Sequence, residues 1–142
     1  MFAFSEKSCY IFEIFGKASL MTEKTKLLVV EDEDSLRTLI KSELEDEGYV
    51  VTGAENGERA LEELSKEDFG IVILDIRMPG MDGMEVLKII RQKNLADKVI
   101  MLTAVDELKI ARESLQLGAN DFLTKPYSFK NLLTCIDRVM KE

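Results

Sequence analysis

Glu31 and Asp32, Asp75, Thr103 with Ala104, and Lys125 share one feature: each lies at or just past the end of a short apolar run. The runs are Lys26–Val30 (KLLVV), 71–74 (IVIL), 99–102 (VIML) and 121–124 (DFLT). If the runs are strands of one sheet, one rim carries three carboxylates, a hydroxyl and an ammonium. Like charges gathered there repel unless protons or a cation join them. Oxygen ligands left partly hydrated at a shallow rim suit Mg2+, which takes one or two carboxylates plus water and a phosphate oxygen. Lys125 adds a second positive charge for a phosphoryl oxygen. Singly these residues mean little, since an acid such as Asp32 or Asp34 at a strand end often only caps the next helix. Their joint placement at strand ends is what points to a site.

The elements that must position them alternate along the chain. Lys26–Val30 is nearly all apolar, as suits a parallel strand buried on both faces. A helix follows with Leu36, Leu39, Ile40 and Leu44 on one face and Gly48 at its close. A weaker strand over 49–52 precedes a helix that opens at Asn56-Gly57 and buries Ala60, Leu61 and Leu64. The run ending at Asp75 leads into MPGMDG, where Pro79 and Gly80 force a turn that leaves Asp75 open. Gly83 starts the next helix without blocking the rim, and Met84, Val86, Leu87 and Ile90 mark its apolar face; Met78, Met81 and Met84 read as packing, not as ligands. The fourth helix spans 106–117, with Asp106 as N-cap and Gly118 just beyond its end. The last runs from Ser128 to Met140 and packs Leu132, Leu133, Ile136 and Val139. Five strand–helix units in regular alternation predict a doubly wound α/β fold: a five-stranded parallel sheet of flavodoxin-like order 2-1-3-4-5, with helices on both faces.

Composition narrows the chemistry. The 142 residues suit one domain, and 46% apolar with 32% charged residues argues against disorder. The net charge of −8, without a dense Lys/Arg run, disfavours a nucleic-acid partner. No apolar run reaches the roughly 20 residues of a membrane span. Cys9 and Cys135 stand far apart, as two thiols of a reducing cytoplasm. Histidine is absent, which removes Ser-His-Asp hydrolases, Cys-His proteases and His-ligated zinc.

Four segments in order, KLLVVEDED (26–34), ILDIRMPGMDG (73–83), VIMLTA (99–104) and DFLTKP (121–126), make residues 26–141 resemble the receiver domains of two-component response regulators. The resemblance implies that Asp75 accepts a phosphoryl group from a histidine kinase or histidine phosphotransfer protein. It makes Glu31, Asp32, Asp75 and the main-chain carbonyl of Arg77 the Mg2+ ligands, Ala104 and Lys125 the phosphoryl-binding residues, and Thr103 and Phe122 the switch pair. Glu-Asp replaces the family's commoner Asp-Asp, and Phe122 lacks the hydroxyl of the Tyr often found there. A cis peptide is common in the family before the residue matching Pro126. The implied output is a changed surface of the fourth helix, fifth strand and fifth helix, which would control a downstream target as a monomer or weak dimer. In the family the positions two after the acceptor and two after the switch Thr tune phosphoryl lifetime. Here they are Arg77 and Val105, neither suited to orienting water, so slow dephosphorylation is expected.

Two other readings fit less well. Asp32-Glu33-Asp34 resembles the D-x-D of haloacid-dehalogenase-like phosphatases, but there the first Asp follows the strand directly, and Glu31 and the MPGMDG loop do not fit. A flavin or nucleotide binder of the same fold would need a Ser/Thr/Gly-rich loop where EDED stands. The expectation is therefore a phosphoacceptor module, not an enzyme beyond its own phosphorylation and dephosphorylation. The receiver is expected over 25–142, either as a stand-alone relay or as a piece of a longer chain. Residues 1–24, with Phe2, Phe4, Tyr10, Phe12 and Phe15, read as an extension outside the domain core, and Met21-Thr-Glu-Lys resembles an ordinary start.

Overall fold

The computed structural model describes residues 25–142; the extension over 1–24 lies outside the described residues. Five strands, β1 (Lys26–Val30), β2 (Val50–Ala54), β3 (Ile71–Asp75), β4 (Lys98–Ala104) and β5 (Asp121–Lys125), alternate with five helices. The helices are α1 (Asp34–Asp46), α2 (Gly57–Lys66), α3 (Gly83–Lys93), α4 (Leu108–Gln116) and α5 (Phe129–Met140). All strand pairs are parallel, in the order β2-β1-β3-β4-β5. The expected flavodoxin-like α/β fold is the one observed.

Strand periodicity divides the core. Leu28, Val30, Val72, Leu74, Val99 and Met101 point to the face covered by α2, α3 and α4, where they meet Ala60, Leu64, Val86, Leu87 and Ile90. Their neighbours Leu27, Val29, Ile71, Ile73, Ile100 and Leu102 point the other way, onto Ile40 and Leu44 of α1 and Leu132, Ile136 and Val139 of α5. Burial on both faces is why β1, β3 and β4 read as unbroken apolar runs. β5 is an edge strand, half-buried along its length.

Three local expectations change. Leu39 is 53% exposed, because the stripe of α1 that faces the sheet is centred on Ile40 and Leu44; Leu39 instead lines a groove with Leu36, Ile40, Tyr127 and Phe129. The second strand runs on to Ala54, whose carbonyl accepts from the Glu31 N–H at 3.1 Å. Asp106 is not the cap of α4: a 3₁₀ turn over Val105–Glu107 comes first, and α4 starts at Leu108 with no side-chain cap. Gly118 does follow α4 in a left-handed conformation, at φ 109°.

The path after Asp75 depends on close approach. Ile76 N–H donates to the Leu102 carbonyl at 2.9 Å, extending β3 by one residue, and Gly83 N–H returns to the Ile76 carbonyl at 2.8 Å. Asp82 caps α3, its carboxylate accepting from Glu85 N–H while the Glu85 carboxylate accepts from Asp82 N–H, both at 3.0 Å. A Cβ on Gly83 would sit 2.3 Å from the Asp75 carbonyl oxygen and 2.8 Å from the Ile76 Cα. Gly83→Ala, ordinarily favourable in a helix, is therefore expected to destabilise the fold by about 1–3 kcal/mol through backbone displacement. Urea unfolding measures this, and a midpoint equal to or above wild type would contradict the close-approach reading.

Candidate functional site

The C-terminal ends of β1, β3, β4 and β5 meet at one rim. Glu31, the residue after β1, is 1% exposed, and Asp75, the last residue of β3, is 4% exposed; Asp32 is exposed beside them. One carboxylate oxygen from each of Glu31, Asp32 and Asp75 lies within 4.8 Å of the others. Lys125, at the end of β5, reaches back across β4. Its Nζ lies 3.2 Å from Asp75 Oδ2 and 3.3 Å from Glu31 Oε1. The peptide between Lys125 and Pro126 is cis.

Backbone donors orient the acids. Glu33 N–H donates to Glu31 Oε2 at 3.2 Å, and Arg77 N–H donates to Asp75 Oδ1 at 3.3 Å. Arg37, one turn into α1, ties the β1–α1 loop by donating to the Glu31 carbonyl at 2.8 Å and to Asp34 Oδ1 at 2.6 Å. Its side chain also packs over Gly53 of β2, where a Cβ would come within 3.2 Å of its Cδ.

Charge and burial oppose one another at this rim. Burial first, and the Asp75 charge second, raise the Glu31 carboxyl above its ordinary value; the Glu33 N–H and Lys125 oppose them. Burial also raises Asp75, against the pull of Lys125 and of the Arg77 N–H. For Lys125, burial alone would lower the ammonium, but the two carboxylates outweigh it and raise the value. Three carboxylates face one ammonium, so the cluster carries a net negative charge of two when all are ionised. The donors are all hard oxygens, with exposed Asp32 giving access to water, and the set fits a hard dication of the Mg2+ kind.

The remaining expected residues border this cluster. Thr103 is 1% exposed, and its hydroxyl donates to the Ala104 carbonyl at 3.3 Å. Ala104 lies level with Lys125 in the β4–β5 register, and Phe122 level with Met101. Thr103, Met101 and Phe122 therefore share the face covered by α4, with Phe122 half-buried against the core below Thr103.

Sequence reasoning missed three side chains here: Arg37, Tyr127 and Glu107. Tyr127, two residues past Lys125, has a buried hydroxyl without a partner among the described residues. Burial, and then the charges of Glu31, Asp75 and Glu43, push it up to about 12. Glu107, on the 3₁₀ turn after β4, is 7% exposed and pairs with the Arg77 guanidinium across the loop that follows Asp75. No local pattern marks Glu107, because it acts on a loop 30 residues away in sequence.

Comparison with known proteins agrees with the geometry. The family model described as the response regulator receiver domain matches residues 27–137. The alkaline phosphatase synthesis transcriptional regulatory protein PhoP of Bacillus subtilis is 40% identical over 116 residues, covering 82% of this chain and 48% of that protein. The transcriptional regulatory protein YkoG of the same organism, itself uncharacterized, is 38% identical over 84% of this chain and 53% of its own length. The chain thus spans about half the length of these curated relatives. The Vibrio cholerae chemotaxis protein CheY4 superposes with a TM-score of 0.78 at 33% identity, covering 82% of this chain and 99% of that one. A Francisella response regulator receiver domain gives 0.77 at 33% identity, with 83% and 98% covered. With the matched model running from β1 into α5 and the acidic rim where such a fold carries its site, the chain belongs to the response regulator receiver family.

Proposed function

We propose that this receiver, spanning 25–142 with 1–24 outside its core, is a signalling switch whose phosphoacceptor is Asp75. The observation that carries the reading is Lys125 Nζ bridging Asp75 and Glu31 at 3.2 and 3.3 Å, with Asp32 completing the acidic cluster. The donor is a phosphohistidine on a histidine kinase or histidine phosphotransfer protein. An Asp75 carboxylate oxygen attacks phosphorus in line, the P–N bond breaks, and the imidazole keeps the electron pair and takes a proton. Lys125 orients and balances the charge of the arriving phosphoryl group. Glu31, Asp32, Asp75 and the Arg77 carbonyl are the residues that would hold Mg2+. When bound, the ion supplies charge neutralisation for the phosphoryl oxygens. Ala104, level with Lys125, offers its N–H to the same group.

The switch follows from differential contacts. With a phosphoryl group on Asp75, the Thr103 hydroxyl exchanges the Ala104 carbonyl for a phosphoryl oxygen. Phe122, below it on the same face, then moves into the space released. The remodelled surface of α4, β5 and α5 controls a downstream protein and offers a site for weak self-association. The domain acts by protein contact, without nucleic acid or membrane. The reading is of a cytoplasmic protein, supported by Cys135 having no disulfide partner among the described residues.

Intact-mass measurement after incubation with phosphoramidate and Mg2+ tests the acceptor. Wild type is expected to gain one phosphoryl group and Asp75→Asn none; a stable phosphoryl gain in the mutant removes Asp75 from the role. Lys125→Ala is expected to retain some phosphorylation but to uncouple it from Phe122. The lost charge-assisted bond would be worth about 1.5–3 kcal/mol, enough to decide an equilibrium between states a few kcal/mol apart. NMR shifts around Phe122, with and without beryllofluoride on Asp75, read this out. A full wild-type shift pattern in the mutant would exclude Lys125 from the switch.

A further inference from the structure

We infer that Glu107 is a positioning residue: by holding the Arg77 guanidinium it straps together the two loops beside Asp75 and slows both phosphoryl entry and hydrolysis. The inference rests on Asp75 being the acceptor. Arg77 lies two residues past Asp75 and its N–H already donates to Asp75 Oδ1, so its side chain leaves from the edge of the pocket. Its guanidinium Nε donates to Glu107 Oε2, which stands on the 3₁₀ turn four residues beyond Thr103. β3 and β4 are hydrogen-bonded neighbours, and the strap joins the segments that emerge from their ends at the rim.

The asymmetry of the pair shows which partner holds which. The Arg77 side chain is 75% exposed and would otherwise sample many rotamers in water, whereas that of Glu107 is 6% exposed. Glu107 Oε1 is buried and has no partner among the described residues, so the carboxylate leans on Arg77 for compensation. A buried anion with one compensating cation keeps that cation in place. The guanidinium is thereby kept to the β4 side of the Asp75 loop. An incoming donor and an attacking water both need an in-line path to phosphorus, and a strap that pins the two loops beside Asp75 limits how far that path can widen. The strap gives Arg77 a structural reason to slow hydrolysis beyond lacking a group that orients water. Position 105 contributes little to it, since Val105 is 65% exposed.

The test uses the full chain with phosphoramidate and Mg2+. Glu107→Gln keeps the shape and removes the charge. It is expected to raise both the phosphorylation rate and the hydrolysis rate of phosphorylated Asp75 about 5-fold, the effect of opening one partly exposed ion pair. Arg77→Ala, which removes the strap from its exposed side, should match it in both rates, and the double mutant should exceed neither single by a further factor. The Arg77 Nε–H should exchange slowly in wild type and fast in Glu107→Gln, by NMR. Wild-type rates in both single mutants, or effects that multiply in the double mutant, overturn the strap. A wild-type chain that takes up no phosphoryl group ends the functional reading, and the rate-setting role of Glu107 with it.

Discussion

Lys125 holds a single ammonium between two buried carboxylates, Asp75 and Glu31, while a third, Asp32, stands within 4.8 Å. At that separation two unit charges repel by roughly 3–4 kcal/mol at an effective dielectric of 20. The fold must hold these groups together against that repulsion. It does so with the ends of the sheet strands: Glu31 continues the β1–β2 ladder, Asp75 closes β3, and Lys125 ends β5. Both core layers, packed against opposite faces of the sheet, serve to fix those strand ends. The acidic rim stays short of positive charge, and a dication is the natural complement to what is missing.

The loops translate that shortage into selectivity. Gly83 lets α3 start against the Asp75 backbone, and the reciprocal Asp82–Glu85 cap ends the loop sharply ahead of that helix. Arg37 ties down the β1–α1 loop, and Arg77 with Glu107 ties the β3 and β4 loops to one another. Thr103 and, two residues below its level, Phe122 share the α4 face.

The sheet and the acidic rim were legible in the sequence because both follow from local rules. Apolar runs of four or five residues alternating with helical stripes imply a parallel sheet, and such a sheet collects its strand ends on one edge. The same rules failed where the outcome depended on a distant partner. The apolar pattern of α1 includes Leu39, but the sheet selects the Ile40–Leu44 stripe and leaves Leu39 in the groove beside Tyr127. Asp106 has the right type for a cap, but the chain tightens into a 3₁₀ turn that instead brings Glu107 to Arg77. Glu107 carries no motif, since it gains its role from the β3–α3 loop folded against it.

Burial outweighs Lys125 at both carboxyls, and the Asp75 charge adds to it at Glu31, so the metal-free pocket holds Glu31 and Asp75 above their ordinary values of 4.5 and 3.8. A group raised on folding favours the folded state below its ordinary value, and that contribution is lost as pH rises through the folded value. Side-chain carboxyl carbon NMR, titrated from acid to neutral pH in metal-free protein and again with Mg2+, measures this directly. The account predicts that both carboxyls titrate above their ordinary values as a coupled pair, and that Mg2+ moves both downwards. Midpoints at or below the ordinary values without metal, or midpoints that Mg2+ leaves in place, would contradict it.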